Sequence, residues 1–132
     1  MARVTRINSH EVLEVFQLAF TLAMRVFDLS KTFPREEMHS LTDQIRRASR
    51  SVCTNISEAW RKRRYSAAFV SKLSDAETET TETQVWVRFA VACEYLTSDV
   101  GDELRHGYDC VIGKLVNMIN HPDEWVLRLR ER

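Results

Sequence analysis

The sequence LTDQIRRASRSVCTNISEAW, residues 41–60, carries the clearest helical pattern in the chain. At about 100° per residue, one sector of a helical wheel collects the apolar residues Leu41, Ile45, Ala48, Val52, Ile56 and Ala59. The opposite side is basic and continues into the next residues, so that the basic set is Arg46, Arg47, Arg50, Arg61, Lys62, Arg63 and Arg64. The pattern predicts one helix with an apolar face towards a core and an arginine face towards solvent.

The whole chain has the composition of one folded helical domain. It has 132 residues, of which 44% are hydrophobic and 29% are charged, so a soluble globular domain over residues 1–132 is expected. Only three Gly and two Pro are present, which leaves little material for hairpin turns. Together with the runs rich in Ala, Leu, Glu and Arg, this scarcity of breakers predicts an all-α fold.

Apolar residues spaced by three and four predict four helices, at about residues 10–30, 35–63, 67–96 and 99–120, and a short tail over residues 121–132. Ser9 is the expected N-cap of the first helix, and Pro34 suits the first turn of the second. The first helix is apolar on more than one side, so it is expected to contact more than one neighbour. In the fourth helix, Gly107 and Gly113 are expected to allow a close helix approach. The three short links predict an antiparallel up-down-up-down four-helix bundle.

The middle of the third helix is polar on its otherwise apolar face, where it carries Glu77, Thr80, Thr83 and Gln84. If the second and third helices pack antiparallel, Glu77 lies level with about Ser51 and Glu82 with about Arg46. A polar or ionic contact between the two helices is one interpretation. Carboxylates that simply remain solvated are the other.

Charge is distributed unevenly along the chain, although its net value is zero. Residues 1–64 carry twelve Lys or Arg and seven Asp or Glu, a net charge of +5, and residues 65–132 carry seven and twelve, a net charge of −5. Such a split is typical of a nucleic-acid-binding face or of complementary surfaces that meet in an oligomer. Composition alone does not decide between the two.

Motifs for enzymatic chemistry are not found in the sequence. It contains no Gly-rich phosphate loop, HExxH, GxSxG or EF-hand pattern, and its four histidines are scattered. Cys53, Cys93 and Cys110 show no metal-ligand spacing and are expected to be small buried residues in a reducing compartment. No signal peptide or membrane span is evident. The sequence therefore predicts a cytoplasmic, non-enzymatic protein with no catalytic residue, metal or cofactor.

The arginine face is the strongest functional signal. Guanidinium groups bind phosphate in a fork, and release of counterions favours binding to a nucleic-acid backbone. The candidate binding residues are Arg47, Arg50, Arg61, Lys62, Arg63 and Arg64. The alternative is a solvated face that pairs with acids of the third helix, although Glu58 is the only acid between Arg46 and Arg64.

Several motifs, in order, resemble a known family. The stretches TFPREE at 32–37, LTDQIRRA at 41–48 and TNISE at 54–58 resemble the four-helix bundle proteins first described from intervening sequences of bacterial large-subunit ribosomal RNA genes. In the predicted third helix, the stretches AE at 76–77, ETQV at 82–85 and YL at 95–96 also resemble the sequences of this family. The resemblance covers about residues 10–120. Its motif positions in this chain are Phe33, Pro34, Gln44, Arg46, Asn55, Glu58, Glu77 and Gln84, and Ala59 stands where the family has glycine.

The resemblance implies a four-helix bundle with a basic surface that assembles as a homopentamer. It also implies kinship with the accessory protein of diversity-generating retroelements, which works with a reverse transcriptase and nucleic acid. The favoured hypothesis is that the chain binds RNA or other nucleic acid through its arginine face. The rivals are an adaptor that binds a protein such as a reverse transcriptase through exposed Trp60 or Trp125, and an assembly whose arginines form salt bridges between subunits.

Overall fold

The computed structural model describes residues 9–127. Its main elements are the helices α1 (Glu14–Ser30), α2 (Leu41–Arg61), α3 (Ser66–Ala92) and α4 (Ser98–Asn120). Short 3-10 turns occupy His10–Val12, Arg35–Glu37 and Pro122–Glu124, and no strand occurs in the described part of the chain. The predicted all-α class and the four predicted helices are confirmed.

Each helix packs against two others, in the order α1, α2, α3, α4 and back to α1. Helices α1 and α4 run in opposite directions, as two ion pairs between them show. Near the start of α1, Glu14 meets Lys114 at 3.0 Å, and near its end Arg25 meets Glu103 at 3.0 Å. These contacts fit the up-down-up-down arrangement, and α1 does contact two neighbours as predicted.

The core lies along the apolar face predicted for α2. All six residues of that face are buried. Two polar residues of α3, Thr80 and Thr83, are fully buried beside them. Their hydroxyls donate at 2.8 Å to the backbone oxygens of Ala76 and Glu79, so neither is left without a partner.

The start of α2 differs from the prediction. The chain makes a 3-10 turn at Arg35–Glu37, and Ser40, with φ −127° and ψ −99°, interrupts the helix, so that α2 begins at Leu41 instead of near residue 35. The carboxylate of Glu37 accepts hydrogen bonds from Ser40 Oγ at 2.6 Å and from the backbone nitrogen of Leu41 at 3.2 Å. It thereby caps α2, which the helical pattern alone did not indicate.

The same carboxylate joins the start of α2 to the link between α3 and α4. Glu37 Oε2 accepts from the hydroxyl of Tyr95 at 2.8 Å, and the rings of Phe33 and Tyr95 lie 5.5 Å apart. The hydrogen bonds from Ser40, Tyr95 and Leu41 lower the pKa of Glu37. The stretch FPREE, residues 33–37, is thus a structural junction, in which Phe33 is buried.

Other helix ends also differ. The first helix begins at Glu14 because Leu13 is extended, and the Ser9 side chain caps the preceding 3-10 turn instead, through the Glu11 nitrogen at 3.1 Å. Helix α3 ends at Ala92 instead of residue 96, because Glu94 adopts a left-handed φ of 66°. The following backbone nitrogens of Tyr95 and Leu96 turn back to Ala90 O, at 2.8 and 3.2 Å.

Two predictions about small residues are only partly confirmed. Cys53 is buried, and burial raises the pKa of its thiol to about 11, but Cys93 and Cys110 are exposed, so the expectation of three buried cysteines was wrong. Gly107 does lie in a close approach, whereas the surroundings of Gly113 are open. None of the helices within residues 9–127 is long and apolar enough to cross a membrane.

Candidate nucleic-acid interface

Three exposed basic residues lie together at the junction of α2 and α3. Arg61 is the last residue of α2, and Lys62 and Arg64 belong to the turn that leads into α3. A helix C-terminus carries partial negative charge, which favours this position for cations. Helix α3 then begins at Ser66, with no acidic residue in its first turn and no side-chain cap from Tyr65. The sequence predicts that the second helix extends to about residue 63. In the structure α2 ends at Arg61, so the turn begins about two residues earlier.

Arg63 lies in the same turn but has a different environment. Its guanidinium carbon is 3.5 Å from the centre of the Trp60 ring, and its Nε donates to Trp60 O at 2.9 Å. Burial, and secondarily the charge of Arg61, lower the pKa of Arg63. The Arg63 backbone oxygen accepts from the Leu127 nitrogen at 2.9 Å, which ties the end of the described chain to this turn.

This stacking overturns one prediction. Trp60 is 5% exposed, so it is not the exposed anchor for a partner protein that the sequence suggested. Trp125 is half-buried, and its indole nitrogen is buried without a hydrogen-bond partner in the described structure. Trp60 therefore presents no free aromatic face, and Trp125 is only partly exposed.

Farther back along α2, Arg46 and Arg50 lie against α1. The Nε of Arg46 donates at 2.7 Å to Oγ of Ser30, whose residue is 2% exposed. The guanidinium carbons of Arg46 and Arg50 lie 4.8 and 5.6 Å from the centre of the Phe27 ring. Arg46 therefore connects α2 to α1, and its predicted contact with α3 was wrong because the residue lies on the other flank of the helix.

Arg47, in contrast, faces α3. It lines a groove of about 510 Å³ between α2 and α3, together with Gln44, Arg50 and the carboxylates Glu79 and Glu82. Burial and the neighbouring Glu82 raise the pKa of Glu79. Glu82 thus lies near the arginine face, as the sequence indicated. Its neighbour there is Arg47, whereas the sequence placed it level with about Arg46.

The remaining family-motif positions mostly serve the fold. Gln84 joins α3 to α4, since its Nε2 donates to Arg105 O at 3.1 Å and to Asp109 Oδ1 at 2.9 Å. Glu58 pairs with Lys72 across α2 and α3 at 2.7 Å, and its hydrogen bond raises the pKa of that lysine. Asn55 donates to Ser51 O within α2 at 2.9 Å. Pro34 and Glu77 are half-buried.

Ion pairing separates the arginine face from the other cations. Within residues 9–127, the cations that form ion pairs at 4.0 Å or less are Arg25, Lys31, Lys72, Arg105 and Lys114. In the same part of the chain, the residues without such a pair include Arg47, Arg50, Arg61, Lys62 and Arg64. The acidic residues between positions 9 and 127 therefore leave most of this face without an ion pair, contrary to an arginine face that is fully salt-bridged within this part of the subunit.

Sequence reasoning missed one exposed residue at this place. Tyr65 follows Arg64 directly and is 65% exposed. The sequence indicates that Tyr65 lies in a turn between two long helices. It does not indicate whether the ring is exposed, because a residue in a link belongs to no repeating apolar pattern. We call Arg61, Lys62, Arg63, Arg64 and Tyr65 the basic end surface.

Comparison with known proteins places the chain in a family. A family model described as 23S rRNA-intervening sequence protein matches residues 11–117. The chain is also similar to a crystal structure of a protein of unknown function from the S23 ribosomal protein family of Bacteroides thetaiotaomicron VPI-5482. The two share 26% sequence identity with a TM-score of 0.73, over 80% of this chain and 95% of that one. No curated protein matches the chain significantly. On the extent of the family match, the chain belongs to the 23S rRNA-intervening sequence protein family.

Proposed function

We propose that the protein binds nucleic acid, in the first place RNA, through the basic end surface and the adjoining face of α2. The main support is the group Arg61, Lys62 and Arg64, three exposed cations within four residues that form no ion pair with residues 9–127. Each cation placed beside a phosphate releases a condensed counterion, and this release favours binding. The family name, which refers to an intervening sequence of ribosomal RNA, is consistent with an RNA ligand.

The two parts of the arginine face are not equal in this proposal. Around Arg47, the carboxylates of Glu79 and Glu82 line the same groove and would repel a phosphate. The α2–α3 turn has no acid between Glu58 and Ser66. We therefore assign the main phosphate contacts to Arg61, Lys62 and Arg64, with a smaller share for Arg47 and Arg50.

Binding of a labelled RNA at low salt tests this assignment. The variant Arg61→Gln with Arg64→Gln removes two charges from the basic end surface and is expected to weaken binding. The control variant Arg35→Gln with Arg88→Gln removes two exposed charges elsewhere and is expected to bind as the native protein does. Equal weakening by both variants would show that only the total charge matters, and would contradict a located site.

Self-association is a second part of the proposal, and specific exposed residues favour it. Phe20 and Met24 on α1 are 52% and 45% exposed, and Val85 and Phe89 on α3 are 45% and 53% exposed. Within residues 9–127, α1 and α3 do not contact each other, so the two apolar patches lie on different sides of the bundle. A contact between unlike patches of successive copies forms a ring when the rotation between copies closes, and a closed ring is in keeping with the homopentamer that the family resemblance implies.

Sedimentation tests the assembly. We expect the native chain to sediment as an oligomer and Phe20→Asp or Phe89→Asp to dissociate it. A native monomer at all concentrations would contradict the assembly without touching nucleic-acid binding. The adaptor alternative, with a reverse transcriptase as partner, loses one of its two predicted anchors because Trp60 is buried, and it retains the half-buried Trp125.

A further inference from the structure

We infer that the basic end surface selects single-stranded nucleic acid, by stacking unpaired bases on two flat groups that lie among its charges. This inference rests on the proposed function and names the class of strand bound. The two groups are the guanidinium of Arg63 on Trp60 and the ring of Tyr65.

The first flat group is held rigidly. The Arg63 guanidinium covers the Trp60 ring at 3.5 Å, and the hydrogen bond from its Nε to Trp60 O fixes its orientation. Trp60 itself is anchored in the core at 5% exposure, while Arg63 remains partly accessible. A guanidinium plane supported on one side by an aromatic ring offers its other side to a base.

The second flat group is open. Tyr65 is 65% exposed, which is more than any other large apolar or aromatic side chain in the described part of the chain. Within residues 9–127, its hydroxyl forms no hydrogen bond and its ring stacks on no other ring. Within residues 9–127, no packing contact requires an aromatic residue at this place, so the described structure leaves the ring available to a ligand.

The two flat groups, Arg63 and Tyr65, are interspersed with the charges along the turn, which runs Arg61, Lys62, Arg63, Arg64 and Tyr65. Cations that follow a backbone, interleaved with stacking surfaces, are the arrangement by which proteins bind single strands. In a duplex, the faces of the bases are covered by neighbouring bases, so neither Arg63 nor Tyr65 can stack on them. The geometry therefore favours a strand whose bases are free.

Fluorescence anisotropy with four labelled probes of equal length tests the inference. The probes are a single-stranded oligoadenylate RNA, the corresponding DNA, an abasic strand and a duplex. The native protein is expected to bind the two base-containing strands more tightly than the abasic strand. Tyr65→Ala should lose roughly fivefold or more in affinity for those strands and none for the abasic strand. Tyr65→Phe, which keeps the ring, should bind as the native protein does.

Two further variants complete the test. Met38→Ala, which removes an exposed apolar side chain near the opposite end of α2, is the control and should leave all four affinities unchanged. Arg63→Lys keeps the charge but loses the planar group. It should lower the affinity for the base-containing strands and leave the affinity for the abasic strand unchanged.

Duplex binding that equals single-strand binding, with no effect of Tyr65→Ala on RNA or DNA, would overturn the single-strand inference and leave the proposed function standing. Failure to bind any of the four probes at low salt would overturn both.

Discussion

The three glycines of α4 allow the packing of the bundle to be tested by one substitution made at three places. In a helix interior, Gly→Ala gains about 1 kcal/mol through backbone entropy alone. Any departure from this gain reports what the new methyl group meets. The structure gives a different surrounding for each position: open space at Gly113, a leucine tip at Gly107 and a valine at Gly101.

The expected free energies follow from these surroundings. At Gly113 nothing lies within 4 Å of an added Cβ, so Gly113→Ala should stabilise by about 1 kcal/mol. At Gly107 the methyl would lie 2.7 Å from Cδ2 of Leu22, a flexible end that can move, so the gain and the cost should nearly cancel. At Gly101 it would overlap with Cγ2 of Val91, which is stiff at χ1, so Gly101→Ala should destabilise by about 1–2 kcal/mol.

Urea unfolding followed by circular dichroism measures all three variants on one scale. The order of stability should be Gly113→Ala, then Gly107→Ala, then Gly101→Ala, with a spread of roughly 2–3 kcal/mol. Equal stabilisation at Gly101 and Gly113 would refute the close approach of α3 and α4. Destabilisation by Gly113→Ala would show that another molecule covers this exposed side of α4.

Three other stability predictions follow from single contacts. Tyr108→Phe should stabilise by about 1–2 kcal/mol, because its hydroxyl is buried with no hydrogen-bond partner within residues 9–127; a less stable variant in urea would reveal a bound internal water. Glu94→Gly should stabilise by up to about 1 kcal/mol, because glycine relieves the left-handed φ; a lower thermal midpoint would contradict this. The pKa of Glu37 is lowered by Ser40, Tyr95 and Leu41, so its stabilising effect is present above its ordinary pKa of 4.5 and is lost as pH falls through the lower folded pKa. Glu37→Gln should therefore flatten the acid side of the stability profile, and an unchanged profile would show that the carboxylate is not needed.

The helices were predictable because their signal is local and repeated. The apolar face of α2 follows from the spacing of residues such as Ile45 and Val52, and it is buried as predicted. The family motifs identified the bundle independently. Neither signal depends on which residues meet across the fold.

The helix ends and the details of the basic end surface were not predictable, because they depend on contacts between distant residues or on single backbone angles. Glu37 caps α2 and also bonds Tyr95, a residue 58 positions away. No spacing rule connects these two residues. Likewise, Trp60 reads as an exposed aromatic until Arg63 is seen to cover its ring. Only the structure shows which arginines pack against other side chains, as Arg46 and Arg63 do, and which form no ion pair within residues 9–127.

The salt dependence of RNA binding tests the central claim most directly. The logarithm of the affinity should fall linearly with the logarithm of the salt concentration, and each phosphate contact to a single strand contributes about 0.7 to that slope. The variant Arg61→Gln with Arg64→Gln should therefore reduce the slope by about 1.4, while Arg35→Gln with Arg88→Gln leaves it unchanged. An unchanged slope in the first variant, or no RNA binding by the native protein at low salt, would contradict the claim that the basic end surface is a nucleic-acid site.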